Sequence, residues 1–162
     1  MAKPLAGRKH TSFARLQKDQ CFVCVKNNPA GMRLKFVRDK KRNSFLCRFR
    51  LDDRYTGPPG HCHGGIIATI LDEAMGKVNK LRQVVAVTSQ ISVDYLKPVP
   101  LHKPLQVRSR EIRVQGRRHF NMAEIVNADE VVLARSRGLF IAIDPVKMFA
   151  RFAGKTLPGK QK

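Results

Sequence analysis

Residues 64–76 constrain this chain more than any other stretch. They read Gly-Gly-Ile-Ile-Ala-Thr-Ile-Leu-Asp-Glu-Ala-Met-Gly, and their only charges are Asp72 and Glu73. A helix that is apolar on nearly every side belongs inside a larger structure. A carboxylate in the middle of such a helix is costly to bury unless it is paired or has chemistry to perform. The helix follows Gly60-His61-Cys62-His63 directly, so a His-Gly-Gly turn opens it. The chain on both sides has strand character, and the simplest architecture is one central helix with a sheet wrapped around it.

The rest of the chain supports that picture. Ser12 is placed to cap a short amphipathic helix over residues 13–20. A first strand is expected over Met32–Arg38, a charged turn over Asp39–Asn43, and a second strand over Ser44–Leu51. In the second strand Phe45, Cys47, Phe49 and Leu51 share the inward phase. Gly57-Pro58-Pro59-Gly60 makes Asp52–His63 an irregular loop. Beyond the helix, Val84–Leu96 is a long strand with Val85, Val87, Ile91, Val93 and Tyr95 in one phase, stopped by Lys97-Pro98-Val99-Pro100. Leu105 and Val107 are out of phase with Ile112 and Val114, which calls for a bulge near Arg110-Glu111. Strands over Arg118–Asn127 and Val131–Ile143 follow. Ala134, Ser136 and Gly138 form a small-residue face that lets a helix come close. Strands joined by short turns make an antiparallel sheet, so the fold class is α+β. The division is a basic segment at 1–20, a domain at 21–144 and a basic tail at 145–162.

At 43% hydrophobic residues the chain can bury a core, and its longest apolar run is broken by Asp72 short of a membrane span. No signal-peptide pattern is present, so the expectation is a cytoplasmic protein with free thiols. A zinc site built from Cys21, Cys24, His61 and Cys62 has atypical spacing in its second pair, and no metal is assigned. Cys47 is expected to be a core thiol. The net charge of +20 predicts attraction to polyanions without naming one. A nucleic-acid module is disfavoured, because no strand presents an aromatic-rich face.

Four motifs together resemble the hotdog-fold acyl-CoA thioesterases of the phenylacetic-acid-degradation (PaaI-like) type. They are Cys21-Phe22-Val23-Cys24, Tyr55-Thr56-Gly57, His63-Gly64-Gly65 through Met75, and Tyr95-Leu96-Lys97-Pro98-Val99-Pro100. The similarity runs over roughly residues 20–143. It implies a sheet wrapped around the long helix, a homodimer or homotetramer, an acyl-CoA substrate and no cofactor. Carried over by position, Asp72 matches the catalytic carboxylate. The Gly64 amide, with Gly65 beside it, matches the group that polarises the thioester carbonyl. His63 matches the motif histidine, and Thr88 the hydroxyl near the attacking water. Gly57 stands where many relatives have Asn or Gln. Glu73, Ser89, Gly57, Arg117 and Arg118 are the expected substrate-facing positions, and Arg108 and Arg110 are further candidates for the CoA phosphates.

The chemistry suits these residues. Thioester hydrolysis needs a stabilised oxyanion and either an activated water or a nucleophilic carboxylate. The first helical turn leaves N–H groups unpaired at the positive end of the dipole. Asp72 lies eight residues beyond Gly64, roughly 12 Å along the axis. One helix cannot aim both groups at one carbonyl, but an antiparallel helix from a second subunit can. Whether Asp72 is base or nucleophile stays open, as does the alternative of an acyl-CoA binder that does not hydrolyse.

Overall fold

The computed structural model describes residues 21–153; the helix expected over 13–20 lies outside the described residues. Six strands form one antiparallel sheet: β1 (Val37–Asp39), β2 (Ser44–Phe49), β3 (Val85–Tyr95), β4 (Leu105–Gln115), β5 (Arg118–Asn127) and β6 (Val132–Ile143). Their order across the sheet is β1-β2-β4-β5-β6-β3. The central helix α1 (Gly64–Val78) packs against β2, β3, β4, β5 and β6. This is the hotdog architecture.

The helix starts where it does because His63 caps it. The His63 backbone is extended, and its Nδ1 accepts the Gly65 N–H at 3.0 Å. Ile67, Ile70, Leu71, Ala74, Met75 and Val78 form its buried face. That face is held to the sheet by two buried polar side chains. Ser109 Oγ on β4 donates to Ala74 O at 2.6 Å, and Asn121 Nδ2 on β5 donates to Met75 O at 3.0 Å. Gly138 on β6 lets the helix approach, since a Cβ there would fall 3.0 Å from Met75 Cε and 2.8 Å from Phe140 Cε2. The helix is less enclosed than its composition suggests. The side carrying Ile66, Thr69, Asp72, Glu73 and Gly76 is only half-buried.

Four details differ from the sequence reading. The segment from Met32 does not join the sheet: Met32 N–H and Leu34 N–H donate to Phe22 O and Val23 O, and Arg33 has φ 58°. Only Val37–Asp39 is left to pair with β2. In β4 the register shift lies between Glu111 and Arg113, a residue beyond the expected bulge. A second shift, unforeseen, lies in β3 between Thr88 and Gln90. It sends Ala86 and Thr88 to the helix side together with Ile91 and Val93, and so takes Val85 and Val87 out of the inward phase. Finally, beyond Ile143 the chain forms a helix, α2 (Pro145–Ala153), where a tail was expected. Asp144 opens it by accepting the Val146 N–H at 3.0 Å.

Candidate active site

A cleft of about 950 Å³ runs along the half-buried side of α1. Asp72 and Glu73 lie on its floor, with Thr88 and Ala86 of β3 beside them and Phe36, Phe45 and Phe140 among its apolar walls. The bulge in β3 aims Thr88 at the helix, and its Oγ1 donates to Asp72 Oδ1 at 2.9 Å. Burial raises the Asp72 pKa above the ordinary carboxylate value; the Thr88 hydrogen bond opposes this and the Glu73 charge adds to it. Glu73 is turned away from Asp72 and forms an ion pair with Lys77, one helical turn on.

The other end of α1 carries the second group. His63 takes up the Gly65 N–H, so Gly65 is not a free donor. The Gly64 N–H has no partner among the described residues. Tyr95, at the end of β3, donates its hydroxyl to Gly64 O at 3.0 Å and so fixes the first helical turn from the sheet. Sequence reasoning placed Tyr95 in the strand phase and missed this contact, which only the path of β3 past the helix start creates. The loop before the helix is equally fixed. Gly57 N–H donates to His61 O at 2.9 Å, and His63 N–H to Tyr55 O at 2.8 Å. A Cβ at Gly57 would fall 2.7 Å from His63 Cα, so glycine here sets the path of the His-Gly-Gly turn.

Other sequence-singled residues lie elsewhere. Ser89 is exposed at the β3 bulge. Arg117 and Arg118 are at the β4–β5 turn, away from the cleft lining, where Arg117 Nε donates to Ala142 O at 2.9 Å. Arg108 is bound to Glu124 and Glu130. The cations that do line the cleft are Lys26, Lys35, Lys77 and Lys80, none of which the motif reading selected. Cys21 and Cys24 stand at the cleft wall against Glu73 and Lys77, whereas Cys62 is buried and His61 turns its ring to Pro59 O. The four-ligand zinc set weighed from the sequence is therefore not assembled.

Residues 59–134 match the family model described as the thioesterase superfamily. The matched region is a thioesterase-superfamily domain on a hotdog fold. Rat (Rattus norvegicus) acyl-coenzyme A thioesterase THEM4 is 31% identical over 134 residues, covering 82% of this chain and 58% of that protein. The chain thus spans a little over half the length of this curated relative. Among solved structures, the thioesterase superfamily protein RHA08564 superposes with a TM-score of 0.68 at 31% identity, over 71% of this chain and 56% of the other. The E. coli PaaI protein from the phenylacetic acid degradation operon superposes at 0.63 with 20% identity, over 68% and 80%. The matched superfamily region contains the His63 cap, α1 and the β3 residues Thr88 and Tyr95, which are the parts that build the site.

Proposed function

We propose that this chain hydrolyses acyl-CoA thioesters as a homodimer whose active sites are shared between subunits. The observation that carries the reading is the Asp72–Thr88 pair, a half-buried carboxylate held by a hydroxyl in a cleft with apolar walls and a lysine rim. In this reading Asp72 supplies the base or nucleophile. Thr88 orients the carboxylate and the attacking water, and the Gly64 N–H of the partner subunit stabilises the oxyanion. The negative charge that develops on the thioester oxygen meets a helix N-terminus, where it is favoured.

The open edge of the sheet supports the dimer. β3 is an 11-residue edge strand with nothing beyond it among the described residues. Long unprotected edges are uncommon because they pair with other chains. Thr88 marks the carboxylate end of the site and Tyr95 the glycine end, seven residues apart on β3, roughly 23 Å. Antiparallel pairing of β3 with its copy about a two-fold axis at Ile91 or Ser92 brings Thr88 within one residue of Tyr95 of the partner subunit. The same register unites Asp72 with the partner's Gly64. Two dimers can join further into a tetramer.

The test is release of free thiol from a panel of acyl-CoAs by wild type and Asp72→Ala in parallel. Loss of roughly 10²-fold or more in the variant is the expected result. Equal slow rates for both proteins would leave an acyl-CoA binder on this scaffold.

A further inference from the structure

The Cys21–Cys24 turn has no role in the proposed hydrolysis, yet it forms part of the same cleft wall. Val25 N–H donates to Cys21 O at 3.3 Å, which closes one turn of chain and brings both side chains together. The two sulfurs are in contact at 3.3 Å. A disulfide bond is about 2.05 Å long, so roughly 1.2 Å of sulfur movement separates the contact from the bond. Both thiols are half-exposed, whereas Cys47 and Cys62 are in the core at 1% and 4% exposure.

Their surroundings are built from the helix. Cys21 Sγ donates to Glu73 Oε2 at 4.0 Å, and Lys77 Nζ donates to Cys24 Sγ at 3.0 Å while pairing with Glu73. The three donor atoms of Cys21, Cys24 and Glu73 lie within 4.8 Å of one another, the spacing of a metal cage. The Lys77 ammonium already stands between two of them, so the positive charge of this cluster comes from a side chain and a metal would have to displace it.

We propose that Cys21 and Cys24 are a redox-active dithiol that closes to an intramolecular disulfide by exchange with a low-molecular-weight disulfide entering the cleft. The Cys21 thiolate attacks one sulfur of the incoming disulfide, breaks its S–S bond and releases one thiolate. Cys24 then attacks the Cys21 sulfur of the mixed disulfide and expels the second thiolate. The two departing thiolates take up the protons that Cys21 and Cys24 lose. The protein is oxidised by two electrons and the small disulfide is reduced to two thiols. The order follows from the surroundings. Cys24 Sγ donates to Cys21 Sγ at 3.3 Å and so supports a thiolate on Cys21. Burial first, and then the hydrogen bond to Glu73, push the Cys24 thiol up to about 12 against the pull of Lys77, so Cys21 attacks and Cys24 resolves.

The full chain, reduced and then equilibrated with mixtures of glutathione and glutathione disulfide, tests this by alkylation and peptide mass mapping. The expected product is loss of two hydrogens from the peptide carrying Cys21 and Cys24. Cys24→Ser should hold glutathione on Cys21. Cys21→Ser should take up glutathione at Cys24 at least about tenfold more slowly. Two thiols that stay free in excess glutathione disulfide would overturn the proposal. So would equal reactivity of the two single variants, or a bound zinc ion that protects both thiols. The readout does not depend on thioester hydrolysis: a protein that closes the disulfide and hydrolyses nothing retains this inference and loses the enzymatic one.

Discussion

Asp72 is subject to two opposed influences, and their balance is measurable. Burial holds its carboxyl above the ordinary range, and the Thr88 hydroxyl favours the ionised form. In the proposed hydrolysis the ionised group is the acting one, so kcat/KM should fall on the acid side at a pH above that of an ordinary aspartate. Thr88→Val removes the donor that favours ionisation, so the acid limb of the pH–rate profile should move to still higher pH. A limb that stays in place would remove Thr88 from this role. The same raised pKa has a stability consequence of definite sign. The folded state binds the Asp72 proton more tightly than the unfolded state, so this group costs stability as pH rises through that window, and costs none below it. Asp72→Asn should therefore be more stable than wild type to urea at neutral pH, with the difference vanishing in acid. At Gly57 an added side chain meets the His63 backbone at 2.7 Å, so Gly57→Asn should displace the helix start and lower the hydrolysis rate rather than add a useful contact. An unchanged rate would show that the loop yields freely.

At the scale of elements, the central helix depends on buried polar pins as well as on its apolar face. Asn121 is fully buried and donates to Met75 O and to Asn79 Oδ1 at 2.9 Å. Asn121→Leu should cost roughly 2–3 kcal/mol in urea unfolding, because Asn79 is left buried without its partner; a loss below the error of the measurement would contradict this. The architecture and helix position were legible from the apolar run, the His-Gly-Gly turn and the alternation in β2. Asn121 and Ser109 were not, since a polar residue in a strand looks solvent-facing until the helix carbonyl opposite it is known. The β3 bulge at Ser89 was hidden for a related reason: Val85, Val87, Ile91 and Val93 fit one phase perfectly well on paper. That bulge decides the site, because it alone turns Thr88 toward Asp72. The CxxC was visible as a motif, but its neighbours Glu73 and Lys77 are about 50 residues away in the chain.

For the whole molecule, the +20 charge is dispersed over several surfaces. Arg108 and Arg135 are engaged by Glu124, and Arg113 lies over the Phe120 ring at 4.2 Å, both on the sheet, while lysines rim the cleft. In the proposed dimer the open β3 edge pairs with a second chain, so light scattering should give an even multiple of the 18.3 kDa chain mass. A monomer that retains full activity would contradict the shared site. The most direct measurement is complementation between two inactive chains carrying different tags. Gly64→Pro removes the free N–H at the first helical position, where proline is well tolerated and where the new carbon meets Tyr95 at an ordinary 3.5 Å. Asp72→Ala removes the carboxylate. Each variant alone should fall below about one hundredth of wild-type activity. Coexpressed in equal amounts, they form mixed dimers in which one site combines Asp72 of one chain with Gly64 of the other, so activity should return to about a quarter of wild type. A mixture no more active than either variant alone would place both groups in one subunit and contradict the account.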